Sequence, residues 1–245
     1  MAKWFRSYFL MLKWVFLSNR PWLMMNLAIQ ICIAVGFIFG VSYFYPVMTP
    51  ATAKYLTTGA PALILITVGL VMVPQLVSNA RTEGTFDYIW SLPVPRMVHI
   101  AADATNVFAT VLPGVILAVV LGSLHFGFNL NISLYLIPSI ILISMCSTFV
   151  GYTMAFAVPK PMMVNVLTQI LVFAVMLFSP VMFPVSNLPA WLQATHKVLP
   201  ILYMADLTRG TLTDLNVNLG LAFAVVGAWF VAGFVATYYL VNRRR

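Results

Sequence analysis

Three pairs of amide side chains, Asn26 with Gln30, Gln75 with Asn79 and Asn165 with Gln169, stand four residues apart within otherwise apolar stretches. On a helix that spacing puts each pair on one face. Neutral amides donate and accept hydrogen bonds without carrying charge into hydrocarbon. They therefore suit either a cavity that meets the polar group of an amphipathic molecule or hydrogen bonding between helices. The five acids, Glu83, Asp87, Asp103, Asp206 and Asp214, are placed at or outside the ends of the apolar runs. Proton- and ion-driven pumps carry ionisable groups at membrane depth, because those groups change charge during the cycle, so ion-coupled transport is disfavoured.

Motifs for covalent or nucleotide chemistry are missing. No Gly-Lys pair occurs, so the phosphate-cradling GxxxxGK[ST] loop is absent, as are GxSxG and HExxH. His99, His125 and His196 lie in separate boundary regions, and no His–carboxylate cluster suggests a metal site. Cys32 and Cys146 fall inside apolar runs, where neither a disulfide framework nor a metal-ligand spacing is legible. An enzyme has little to stand on here.

The elements that must position the amides follow from composition. Of 245 residues 62% are hydrophobic and 7% charged, which excludes a water-soluble globule and predicts an integral, all-α membrane protein. A formal net charge of +8 raises the possibility of nucleic acid, but the basic residues sit at the ends of apolar runs, so a membrane lipid surface is the better partner. Six runs are long enough to cross a hydrocarbon core of about 30 Å as helices: Met24 to Phe44, Tyr55 to Val77, Ala104 to Leu124, Ser133 to Val158, Met162 to Phe183 and Val217 to Val241. Ten of the thirteen Lys and Arg residues (Lys3, Arg6, Lys13, Arg20, Arg81, Arg96, Lys160, Arg243, Arg244, Arg245) share the side of the termini, against Lys54, Lys197 and Arg209 opposite. That asymmetry predicts both termini in the cytoplasm and places all three amide pairs toward the cytoplasmic half.

Three further segments interrupt or flank the spans within a single transmembrane domain, 1–245. In segment 1–21, Arg6, Lys13 and Arg20 recur every seven residues and share a narrow arc, leaving Trp4, Phe5, Met11, Leu12 and Val15 on other faces. This predicts an interfacial helix with no removable signal peptide, restarted by Asn19 and Pro21. In segment 80–98, Phe86, Ile89 and Trp90 form one face and Glu83 with Asp87 another, predicting a short amphipathic helix closed by Pro93 and Pro95. Segment 184–214 is unusually apolar for an external loop. Ser186 or Asn187 is expected to cap a short helix with Pro189 in its first turn, and Pro200 to begin a second through Tyr203 to Arg209; both re-enter the outer leaflet. The GxxxG pair Gly36 and Gly40 and the stripe Gly220, Ala224, Ala228, Ala232, Ala236 predict close helix packing, within the bundle or between subunits.

Two of these stretches carry a resemblance. Arg81, Glu83-Gly84-Thr85, Leu92-Pro93-Val94 and Arg96 are similar to the cytoplasmic pattern of type 2 ABC transporter permeases, and Ser179-Pro180, Phe183-Pro184, Leu188-Pro189, Trp191-Leu192, Pro200, Tyr203, Asp206 and Arg209-Gly210 to their late signature. The chain resembles these six-span exporter subunits over nearly its whole length, most of all the drug and lipooligosaccharide exporter branch. Ala80 and Thr82 depart from the pattern, standing where many members carry further charge.

The resemblance implies a permease in the cell (inner) membrane that pairs with a second copy or a sister permease above two nucleotide-binding ATPase subunits. ATP and Mg would be bound on those partners, with no cofactor in this chain. Arg81, Glu83, Gly84, Thr85, Phe86, Asp87 and Trp90 would couple to the ATPase. Phe183, Pro184, Leu188, Pro189, Trp191, Tyr203, Asp206 and Arg209 would form the external gate. An amphipathic or hydrophobic drug, lipid or lipid-linked saccharide would leave the cytoplasm or inner leaflet. A polysaccharide or haem-biogenesis exporter and a non-transporting scaffold for a soluble partner stand as alternatives.

Overall fold

Apolar runs of twenty or more residues satisfy their backbone internally only as helices when water is excluded, and the computed structural model has six helices of that kind. It describes residues 2–45, 48–127 and 130–243. Arg244, Arg245 and the side chain of Lys3, counted above for orientation, lie outside the described residues. No strand occurs among the described residues.

Helix α1 (Ala2–Ser18) precedes α2 (Arg20–Val35), which continues through a π turn (Gly36–Gly40) and a 3-10 turn (Val41–Phe44) to complete span 1. Span 2 is α3 (Pro50–Thr67), a π turn (Val68–Met72) and α4 (Val73–Thr82). The short α5 (Thr85–Ser91) follows, then spans 3 to 5 as α6 (Arg96–Phe126), α7 (Leu136–Ala157) and α8 (Pro161–Phe178). After a 3-10 turn (Val185–Asn187) come α9 (Ala190–His196), α10 (Pro200–Leu212) and α11 (Leu219–Arg243), the last being span 6. With six spans both ends of the described chain share one side, here called the termini side.

Prolines punctuate this order. Pro21, Pro50, Pro161 and Pro200 each stand in a helix's first turn, where the missing N–H would have had no partner. Pro74 has the opposite effect: it cannot donate to the Leu70 carbonyl, and just before it the helix loosens so that the Val73 N–H bonds the Val68 carbonyl five residues back.

Two spans are longer than expected on the termini side. Span 2 runs to Thr82 instead of Val77, and span 3 begins at Arg96 instead of Ala104. Polar residues that look like loop in sequence are satisfied by neighbouring helices: the Ser78 hydroxyl donates to the Pro161 carbonyl at 2.6 Å and Arg96 Nη1 to the Val241 carbonyl at 2.7 Å. At 33 residues, about 50 Å, span 2 outreaches a core of about 30 Å. Asp103 thereby falls within the helix of span 3, seven residues after Arg96, instead of before it.

Span 2 is the axis of the bundle, 78% of its most apolar window being buried, against 17% to 22% for spans 1, 5 and 6. A second, smaller core joins Met11 and Val15 of α1, Ile89 of α5, and Val98 and Ala102 of span 3. The stripe Gly220, Ala224, Ala228, Ala232 and Ala236 faces away from this bundle; span 6 packs instead through Ala222, Val226, Gly233 and Thr237. Gly36 and Gly40 likewise meet no neighbour, so neither small-residue pattern packs within the chain.

Candidate functional site

Spans 1, 2 and 5 enclose a cavity of about 380 Å³. Its wall includes Asn26, Gln30, Gln75, Asn79 and Gln169, five of the six amides singled out by spacing. Asn26, Gln75 and Asn79 lie at its end nearer the termini side, and Ile33, Phe37 and Leu63 at the other, so the space is polar at one end and apolar beyond. The sixth amide, Asn165, does not line it; its side-chain oxygen is buried with no hydrogen-bond partner among the described residues.

The amides divide by role. Gln75 Nε2 donates to the Thr168 hydroxyl at 2.9 Å, linking spans 2 and 5. Gln30, 1% exposed, donates through Nε2 to the Thr110 carbonyl at 3.2 Å while its side-chain oxygen has no partner. Span 3 leaves room for it at Gly114, where a methyl group would collide with the Gln30 side chain. Asn79 and Gln169 are exposed, and their side chains make no hydrogen bond among the described residues.

At the end of span 2, Glu83 terminates the helix and Gly84 takes a left-handed conformation (φ 75°), which turns the chain into α5. A residue with a Cβ would be strained there. Phe86 and Ile89 are buried and Trp90 half-buried, while Glu83, Asp87 and Tyr88 are exposed. Phe86 stands edge-on to Trp90 and to Phe156 of span 4, and Arg96 stacks 4.5 Å over the Trp90 ring. The aromatic side chains thus hold α5 to the bundle, and the face left for another molecule is Glu83, Asp87 and Tyr88.

Arg81 also turns inward. Its guanidinium donates to the carbonyls of Ala155 (2.7 Å), Val158 (3.1 Å) and Pro159 (2.8 Å), where span 4 ends and helix carbonyls lack backbone partners.

The model of the family described as ABC-2 type transporter matches residues 8–213, from within α1 to just past α10. The chain belongs to the ABC-2 type transporter family. It is a transmembrane permease subunit, not itself catalytic, of a family whose members associate with an ABC ATPase subunit. No curated protein matches the chain.

On the side away from the termini, a 3-10 turn, α9 and α10 link spans 5 and 6 of the permease. Neither Ser186 nor Asn187 caps α9: both lie in the 3-10 turn, and the helix starts at Ala190 behind Pro189, whose fixed φ suits a helix start. Arg209, 2% exposed, is the pin of this segment. It donates to Asp206 at 2.9 Å and to the carbonyls of Pro180 at 2.7 Å and Val181 at 2.5 Å, and lies 4.4 Å over the Tyr55 ring of span 2. Burial pushes the Asp206 carboxyl above the usual range, opposed by Arg209; burial also pulls the guanidinium down, opposed by Asp206 and Tyr55. His196 Nε2 meets the Phe178 carbonyl at 2.8 Å, the last of span 5, and Trp229 of span 6 donates to Val198 at 2.9 Å. Tyr203 donates to the Lys197 carbonyl at 2.9 Å; Phe183, Pro184 and Leu188 are half-buried, Pro189 is exposed, and Trp191 is 68% exposed.

Tyr88, His196 and Arg96 were not singled out as site residues from sequence. Tyr88 directly follows Asp87 and lies three residues before the exposed Ser91 on the same helix, a spacing that could have marked it.

Proposed function

We propose that this permease is the membrane-spanning half of an ATP-driven exporter, with both ends in the cytoplasm and α5 as the element through which an ATPase subunit moves the spans. The observation that carries this reading is the short path from α5 to the cavity wall. The exposed Glu83 ends span 2, the exposed Asp87 and Tyr88 follow on α5 after the Gly84 turn, span 2 contributes Gln75 and Asn79 to the cavity, and Arg81 fastens its end to span 4. A displacement of α5 therefore acts on the helix that forms part of the cavity wall, through the Gly84 turn and the packing of Phe86 and Trp90 on span 4.

The substrate that suits the cavity is amphipathic, with a polar group held near Asn26, Gln75 and Asn79 and an apolar body along Ile33, Phe37 and Met176. Two permeases above two ATPase subunits would enclose the path, and the segment pinned by Arg209 would be its outer closure, opening when Tyr55 and span 2 shift beneath it. ATP and Mg act on the partner; this chain contributes the docking face, the cavity and the closure. A scaffold for a soluble protein would need the docking face but no cavity.

The test is reconstitution of the purified permease with its ABC ATPase in lipid vesicles, followed by a screen of amphipaths for stimulated ATP hydrolysis and ATP-dependent loss from the ATPase-facing side. Stimulation together with directed movement supports export. Stable binding of the ATPase without stimulation or movement by any compound would favour the scaffold.

A further inference from the structure

In a chain with thirteen basic and five acidic residues, the described carboxyl and basic side chains that line the spaces beside the cavity are two acids, Glu83 and Asp103, and no Lys or Arg. On the termini side a second chamber of about 220 Å³ opens under α1, walled by Trp14, Trp22, Glu83 and Asp103. A constriction of about 30 Å³ shares lining residues with both. Asp103 and Trp22 are shared by chamber and constriction, and Trp22, Asn26 and Leu76 by constriction and cavity. No Lys or Arg among the described residues lines any of the three.

Asp103 accepts a hydrogen bond from the Tyr152 hydroxyl, and that fully buried tyrosine holds the carboxyl group in place. Beyond it the constriction is lined by Asn106, whose side-chain oxygen is buried without a partner among the described residues. A half-buried acidic side chain, two indole side chains and an unpaired amide oxygen beyond them form the chemistry that recognises an organic ammonium group.

We propose that Asp103 is a binding site for the positively charged group of a cationic amphipath, set at the throat between the termini side and the cavity. This rests on the reading of the cavity as the substrate's path. The ammonium group meets Trp14 and Trp22 first, pairs with Asp103, and the apolar body passes into the cavity beyond. His99 also faces the outer chamber, and Glu83 stands at its rim. Above roughly pH 8 the imidazole is neutral and adds no opposing charge.

The test is equilibrium binding of ethidium, a permanent cation, and of Nile red, an uncharged amphipath, to the full-length permease in micelles at about pH 8, read by fluorescence polarisation. Asp103→Asn keeps an oxygen for the Tyr152 hydroxyl and removes only the charge. It is expected to weaken ethidium about tenfold or more and leave Nile red within twofold, and Asp103→Glu to restore most of the ethidium affinity. Gln169→Trp, which fills the cavity from its exposed wall, is expected to weaken both probes. Unchanged ethidium binding in Asp103→Asn, with Gln169→Trp still weakening both, overturns the ammonium site and leaves the cavity's role standing. If neither variant alters either probe, both fall. An Asp103→Asn protein that loses both probes, with Asp103→Glu failing to restore them, reduces Asp103 to a structural residue and also overturns the proposal.

Discussion

Arg81 Nη1 donates to the Ala155 carbonyl oxygen at 2.7 Å, so the end of the helix that leads into α5 is tied to the end of span 4. With Val158 and Pro159 as further acceptors, one guanidinium serves three carbonyls that a terminating helix leaves open. Arg81→Ala is expected to lower stability by about 2 to 3 kcal/mol, the range for hydrogen bonds to a charged group. Arg81→Lys should recover only part of this, because an ammonium cannot span three acceptors in the guanidinium's fork geometry. Thermal midpoints followed by size-exclusion chromatography of the purified protein check the ranking of wild type, Lys and Ala.

Trp90 belongs to the anchoring side of α5, between Phe156 and Arg96. Trp90→Ala is expected to cost about 3 kcal/mol by emptying that space and to loosen α5 as a whole. Hydrogen exchange of residues 85–91 should rise in Trp90→Ala and stay unchanged in Tyr88→Ala, whose side chain is exposed.

Gln75 and Asn79 share a helix face and a cavity but differ in partners. Gln75→Leu leaves the Thr168 hydroxyl without its link across spans 2 and 5 and is expected to lower stability by about 1 kcal/mol. Asn79→Leu breaks no bond and is expected to leave stability within about 0.5 kcal/mol. Both should change the affinity for amphipaths, so a stability assay run beside a binding assay separates the two residues.

The Lys54–Asp214 ion pair joins the start of span 2 to the segment after α10. The hydrogen bond from Lys54 holds the Asp214 carboxyl below the usual aspartate range. A depressed carboxyl contributes stability that is present above its ordinary value of about 3.9 and is lost as pH falls through the folded value. Hydrogen exchange of residues 212–217, corrected for its intrinsic pH dependence, is expected to accelerate as pH falls below about 4. In Asp214→Asn the segment should exchange at one fast corrected rate throughout.

Much of this arrangement was legible before any coordinates, and the parts that were not have a common cause. Six spans follow from length and composition, and the amphipathic pattern of α5 from the positions of Phe86, Ile89 and Asp87, whereas the expected face of Glu83 with Asp87 is broken by the left-handed Gly84 between them. The ends of spans 2 and 3 were misplaced because Ser78, Arg81 and Arg96 look like loop residues until a neighbouring helix supplies their acceptors. Arg81, Arg96 and Arg209 were weighed as topology signals, yet each donates to carbonyls of a distant segment. Spacing put Asn165 and Gln169 on one face of span 5, but how span 5 is turned against span 2 is a matter of packing, and only Gln169 reaches the cavity wall. Asp103 looked like a boundary residue for the same reason that Arg96 did.

The most direct measurement is substrate-stimulated ATP hydrolysis by the reconstituted permease and ATPase when the exposed face of α5 is altered and its anchoring face is left intact. Asp87→Lys with Tyr88→Ala, both exposed on α5, is predicted to abolish stimulation, on the order of tenfold or more, while the permease keeps its thermal midpoint and its affinity for ethidium. Full stimulation in that double variant would contradict α5 as the site through which the ATPase acts.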